Sequence, residues 1–284
     1  MAAEPPQAPE EHAPPSDLGA LLPLMQMRNI AGYLYGSEDI SLLFYALIRR
    51  EKPQNMIELG TGVGVTAFWM AQAAKENGAG KVWTIDDGSQ WSDVDHFRRA
   101  MAPLSQVPPF DRIDFARVTY ADFIRQATEL LGLGDHLVFL NQHLPLDRPD
   151  VFASAELPFL QTPWDFLFLD ISRQPDHILD VLRDFLPRMG TVGSVFIDSA
   201  STSVVSHLFL ENLVEQLNRG KVPRHFLQHG DPAQQRLLTD FIASRRFTLM
   251  HLVERLRRSQ NSTAWLKIEP NDYVPHPEAL MKWV

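Results

Sequence analysis

The sequence predicts an α/β fold, a mostly parallel sheet with helices on both faces. Three observations carry this expectation. Short apolar runs with the character of buried strands alternate with segments of helical period. One such run opens into a glycine-rich turn that feeds straight into a helix, over residues 55–66. Asp86, Asp170 and Asp198 each end an apolar run, on the edge where open α/β sheets gather their ligands.

The elements follow in order. Residues 1–17 hold Pro5, Pro6, Pro9, Pro14 and Pro15 among alanine and glutamate, a composition that packs no core and predicts a disordered tail. A Leu/Met-rich stretch over 18–30 predicts a helix for the core, with cover for the site or for a partner subunit as its other use. Ser37-Glu38-Asp39 caps a helix to about Arg50, with Ile40, Leu43, Phe44, Leu47 and Ile48 on one face and Pro53 as its stop. Residues 18–54 thus read as an N-terminal helical segment, 55–270 as the main domain and 271–284 as a C-terminal tail.

Within the main domain, Met56, Ile57 and Leu59 form the first strand, and Thr66 to Lys75 the helix after the glycines. Lys81 to Asp86 is the second strand. The following thirty or so residues contain Pro103, Pro108 and Pro109 and read as an insertion. A helix over 120–131 ends at Gly132-Leu133-Gly134, and Leu137 to Leu140 is the third strand. After a loop with Pro145, Pro149, Pro158 and Pro163 come a strand at 164–170, a helix at 176–186, a turn at 187–190 and a strand at 192–198. Helices over 202–217 and 232–245 precede an antiparallel pair, 247–256 and 263–268, joined by a polar turn.

Composition narrows the function. A chain of 284 residues is long enough for one large α/β domain or two small ones, and one is the simpler reading. A net charge of −9 offers no general attraction to phosphate backbones, so nucleic acid is not expected as a partner. The absence of cysteine excludes a disulfide framework and a thiolate zinc site. No apolar run approaches the length of about eighteen residues that a membrane span needs, and no basic-then-apolar leader begins the chain. The expected location is cytoplasmic, away from membranes.

The glycine turn carries the chemistry. Glycine admits close approach of a ligand to the backbone, and the helix beyond it presents unpaired N–H groups to an anion. A dinucleotide fingerprint, G-x-G-x-x-G, would require glycine where Val65 stands, which weakens the reading as a nucleotide-dependent oxidoreductase. The chain instead has Glu58-x-Gly60-Thr61-Gly62-x-Gly64, and twenty-eight residues after Glu58 the acid Asp86 at a second strand end. A carboxylate there can accept from both hydroxyls of a ribose.

This pattern resembles the glycine-rich first motif and the acidic second-strand motif of class I S-adenosylmethionine-dependent methyltransferases. The resemblance implies a Rossmann-like doubly wound sheet of about seven strands, five parallel and closed by an antiparallel pair. It also implies that Glu58, Gly60, Thr61, Gly62, Gly64 and Asp86 hold S-adenosylmethionine. Asn141 and Gln142, at the third strand end, fall where the family reads the adenine edge; as residues they suit a turn equally well.

Asp170 and Asp198 are expected to point into one cleft, where two carboxylates repel unless a cation or a proton lies between them. Oxygen-rich sites favour magnesium, which lowers the pKa of a bound hydroxyl. The pair looks like that of the metal-dependent small-molecule O-methyltransferases of the catechol and caffeoyl-CoA type. Those carry Asn after the second acid, and here Ser199 stands instead. The other reading makes Asp198 a helix cap and Asp170 a shaper of the acceptor loop. Arg173 falls where some relatives have a lysine or histidine; it suits an anionic acceptor but is a poor base. His177 is the candidate base, with His143 and His207 behind it, against duty at the surface or as a helix cap. Trp91, Trp164 and Phe159 are candidates for an acceptor wall or for plain core. The implied activity is O-methylation of a small molecule by a homodimer. The alternatives are the oxidoreductase and a non-catalytic partner that keeps the fold.

Overall fold

In the computed structural model, which describes residues 18–35, 39–146, 152, 157–228, 232–253 and 262–271, seven strands make one sheet. They are β1 (Asn55–Leu59), β2 (Lys81–Asp86), β3 (Leu137–Asn141), β4 (Trp164–Leu169), β5 (Met189–Asp198), β6 (Arg245–Val253) and β7 (Ser262–Pro270). Their order across the sheet is β3-β2-β1-β4-β5-β7-β6. Strands β1 to β5 pair in parallel, and β7 lies antiparallel between β5 and β6. The chain starts at the centre and reverses direction across the sheet between β1 and β4, so the crevice for a ligand opens at their carboxyl ends.

Helices α1 (Leu18–Tyr35), α2 (Ile40–Glu51), α3 (Val65–Asn77), α4 (Val94–Met101) and α5 (Tyr120–Leu130) build one layer. Helices α6 (Pro175–Phe185), α7 (Val204–Asn218), α8 (Arg224–Gln228) and α9 (Pro232–Ala243) build the other. The pleat of β4 divides the core between them. Phe166 and Phe168 join Phe44 and Phe196 under α2, whereas Leu167 and Leu169 join Ile57 and Ile197 under α6. A register shift between Trp164 and Phe166 turns Trp164 toward α6, where its indole N–H donates to the Phe185 carbonyl at 2.7 Å.

Several expectations are corrected here. The stretch after β2, expected as an insertion, carries short helical pieces and buries Phe97, Met101, Leu104, Val107, Phe110, Ile113, Phe115 and Val118 in the first core. Helix α1 packs Leu21, Leu24, Met27 and Ala31 into that same core beside α3, which is the core reading of its sequence. Asp39 precedes α2 without a side-chain cap; its carboxylate pairs with Arg28 at 3.4 Å. Strand β5 begins at Met189, inside the expected turn. Trp91, Trp164 and Phe159 are core residues. The expected cap residues Ser37 and Glu38, the tail over 1–17, most of the 271–284 tail and the turn between β6 and β7 lie outside the described residues. Among the described residues no helix is long and apolar enough to cross a membrane.

Candidate active site

The carboxyl ends of β1 to β5 and the loops that leave them line a cavity of about 600 Å³. Gly60 and Gly62 form one wall. Gly60 has φ +103°, and a Cβ there would stand 2.9 Å from the carbonyl carbon and oxygen of Asp170 and 2.7 Å from Ile171 Cγ2. Two strand exits therefore touch backbone to backbone, which only glycine allows.

Asp86 closes the turn. Its Oδ2 accepts from the N–H groups of Thr61 at 3.0 Å and Gly62 at 3.1 Å, and its Oδ1 accepts from Gly88 N–H at 2.7 Å. Of roughly four lone-pair sites on a carboxylate, three are thus engaged by backbone amides. Burial raises the Asp86 carboxyl above its ordinary range, against the lowering effect of these amides.

Glu58 lies beneath the turn, 1% exposed, and accepts from Thr84 Oγ1 at 2.5 Å; Thr84 in turn lies 2.6 Å from Thr61 Oγ1. The parallel register pairs Glu58 with Thr84 on the adjacent strand. This relay supports the glycine turn from below, and Glu58 does not line the cavity. Thr61 and Gly64 are likewise buried behind the wall. Gln142 lines the cavity and Asn141, paired in register with Asp86, does not.

The opposite wall holds Asp170, Arg173, His177 and Asp198. Asp170 and Asp198 stand together on this wall, near enough for the Asp170 side chain to act on the Asp198 carboxyl. Burial raises the Asp198 carboxyl, with hydrogen bonds from Ser199 and the charge of Arg173 pulling the other way. Ser199 takes a left-handed φ of +56°, is 1% exposed, and donates its hydroxyl to Asp198 Oδ2 at 2.6 Å. His177 Nδ1 lies 2.7 Å from Ser172 Oγ. Ser206 of α7 donates to the Arg173 carbonyl at 2.8 Å and so ties the loop after β4 to that helix.

The structure thus brings Gly60, Gly62, Asp86, Gln142, Asp170, Arg173, His177 and Asp198 to one cavity. The loops over 87–118 and 142–163, expected from the sequence to shape the acceptor pocket without any residue singled out, contribute Asp87, Ser89, Gln90 and the stretch Leu144-Pro145-Leu146 to its lining. Asp87 Oδ2 lies 2.5 Å from His143 Nδ1, a pair that bridges the loops after β2 and β3. The doubled acid Asp86-Asp87 was the available signal.

A family model described as a methyltransferase domain matches residues 57–200, half of the chain, from β1 to the turn after β5. No curated protein matches in sequence. Similar solved structures include an O-methyltransferase from Bacillus cereus in complex with S-adenosylhomocysteine, 15% identical, covering 90% of this chain and 92% of that one with a TM-score of 0.47. An S-adenosylhomocysteine-bound methyltransferase from Podospora anserina is 13% identical and covers 96% of this chain and 100% of that one, also with a TM-score of 0.47. On the family match, the chain belongs to the methyltransferase-domain family and is an S-adenosylmethionine-dependent methyltransferase.

Proposed function

We propose that the protein transfers the methyl group of S-adenosylmethionine to a hydroxyl of a small-molecule acceptor. The observation that carries this reading is the convergence of the glycine turn and the acid pair Asp170/Asp198 on one cavity. Gly60 and Gly62 admit the donor, Asp86 takes one ribose hydroxyl, and Gln142 meets the adenine edge. Glu58, Thr61 and Gly64 hold the turn from behind, and Asn141 extends the β3 edge beside Asp86.

The donor sulfonium is already activated, so the protein's work is alignment and removal of the acceptor proton. The acceptor oxygen forms its bond to the methyl carbon as the carbon–sulfur bond breaks, and the bonding pair returns to sulfur. We assign the proton to His177 Nε2, with Ser172 engaging Nδ1 and fixing the ring. Arg173 faces the developing charge or an anionic acceptor group.

Asp170 and Asp198 are hard oxygen donors that line one cavity, and they fit a magnesium ion between them. Such an ion would lower the pKa of the acceptor hydroxyl. Ser199 serves this pair by orienting Asp198. A metal-free version of the reading is favoured by Arg173, whose charge already acts on Asp198. The same proposal includes a cytoplasmic homodimer, to be checked by sedimentation.

The test is calorimetric titration with S-adenosylhomocysteine, with and without magnesium, on chelator-treated protein. Micromolar binding supports the donor site, and a separate magnesium signal lost in Asp170→Asn supports the metal version. No binding in either condition overturns the donor site, and binding without turnover over a panel of phenols and alcohols counts against the hydroxyl acceptor.

A further inference from the structure

Outside the cavity, three ligand-type side chains converge where α7 crosses β6. His207 and Glu211 stand one helical turn apart on α7, and His251 projects toward them from β6. The strand's pleat explains the last: Phe247 and Leu249, at alternate positions before His251, face the core layer that contains α7. One nitrogen from each imidazole and a Glu211 oxygen all lie within 4.8 Å of one another. The rings of His207 and His251 stack with centroids 3.9 Å apart, and His251 Nε2 is 3.0 Å from Glu211 Oε1.

We propose that His207, Glu211 and His251 form a binding site for a zinc ion, independent of the methyl-transfer cavity. Two imidazoles and a carboxylate are a donor set that suits zinc. Bonds of about 2.0–2.2 Å in a tetrahedral arrangement put neighbouring ligand atoms about 3.3 Å apart. The His251–Glu211 separation already matches such an edge, and a turn of the His207 ring out of the stack supplies the next. Zinc replaces the proton between His251 Nε2 and Glu211.

The supporting partner is also in place. Ser201 Oγ lies 2.8 Å from His251 Nδ1; once Nε2 binds the ion, Nδ1–H donates to that hydroxyl, which fixes the tautomer and the ring plane. Glu211 is 57% exposed and His251 18%, so the fourth position opens to solvent and takes water. The ion would clamp the first half of α7 to β6, as the Asn218 side chain clamps its far end through two hydrogen bonds to the Phe247 backbone.

The experiment is titration of Zn²⁺ into chelator-treated full-length protein by calorimetry, repeated with Co²⁺ while its visible absorption is recorded. The expected result is one equivalent bound with a rise in Tm, and a cobalt spectrum of nitrogen ligation. His207→Ala and Glu211→Ala should each weaken binding by at least about tenfold. His251→Gln should do the same, with circular dichroism confirming that each variant folds. Asp170→Asn should leave this equivalent intact, which separates it from any metal in the cavity. No uptake by the native chain overturns the proposal. So does uptake that survives both histidine variants, or that disappears only in Asp170→Asn.

Discussion

The carboxylate of Asp86 holds the glycine turn in place by accepting from Thr61 N–H at 3.0 Å, with Gly62 and Gly88 as its other backbone donors. Asp86 is therefore both a lining residue of the cavity and the clasp of the glycine turn beside it. Asp86→Ala leaves three amides to water or to one another, at a cost of about 1–3 kcal/mol each where burial is complete and less at this half-buried edge. The expected outcome is a stability loss of about 2 kcal/mol in urea, together with loss of measurable S-adenosylhomocysteine binding. Full affinity in this variant would remove Asp86 from the donor site.

The contact of Gly60 with Asp170 yields a second prediction. In Gly60→Ala the new methyl meets the Asp170 carbonyl at 2.9 Å in a left-handed backbone, and backbone cannot move aside as a flexible side chain can. The expected loss is about 1–3 kcal/mol, and the displaced Asp170 should lower kcat more than it raises KM for the donor. Urea denaturation and steady-state kinetics check the two parts separately. A variant with native stability would mean that the β4 exit loop relaxes freely.

These features differ in how far they could be read from sequence. The glycines, Asp86, Asp170 and Asp198 were legible because each sits where an apolar run ends, and strand ends share one edge in a parallel sheet. The role of Glu58 was not. It depends on the register that sets Thr84 beside it, and register is a property of two strands that neither encodes alone. The stretch after β2 failed for another reason: its prolines cut it into pieces too short to show a helical period, although Phe97, Phe110 and Phe115 were there to be buried. His207 and His251 were invisible as a pair, because only the packing of α7 on β6 joins them.

Within α6, Arg183 is 2% exposed and pairs with Asp180 at 2.7 Å and with Asp184 at 2.9 Å. His225 of α8 adds a contact of 2.8 Å to Asp180. The two acids hold the Arg183 guanidinium in its charged form, raising its pKa despite burial. Arg183→Met keeps the volume and removes the charge, which strands two buried carboxylates. The expected destabilisation is about 3–5 kcal/mol, read as a fall in the urea midpoint. The triple variant Arg183→Met, Asp180→Asn, Asp184→Asn should recover much of it, and a single variant with native stability would show that water reaches the cluster.

Ser199 acts on the ionisation of Asp198. Burial raises the Asp198 carboxyl, and the first of the opposing effects is the Ser199 hydroxyl, which donates at 2.6 Å. Ser199→Ala removes that donor, so the carboxyl rises further. If methyl transfer needs Asp198 ionised, activity falls as pH drops through the raised value, and in Ser199→Ala this acid limb moves to higher pH. Stability follows the linkage of a raised acid: the native chain holds a proton that the unfolded chain has released. Asp198 therefore contributes stability that is complete below about pH 4, the unfolded value, and is lost as pH rises through the folded value. In Ser199→Ala the loss extends to higher pH, so the drop in stability from pH 4 to pH 8 should be larger than in the native chain. Profiles of kcat/KM and urea midpoints over that range check both signs. An acid limb that stays in place while the stability curve moves would show that Asp198 titrates as expected but does not need to be ionised for methyl transfer.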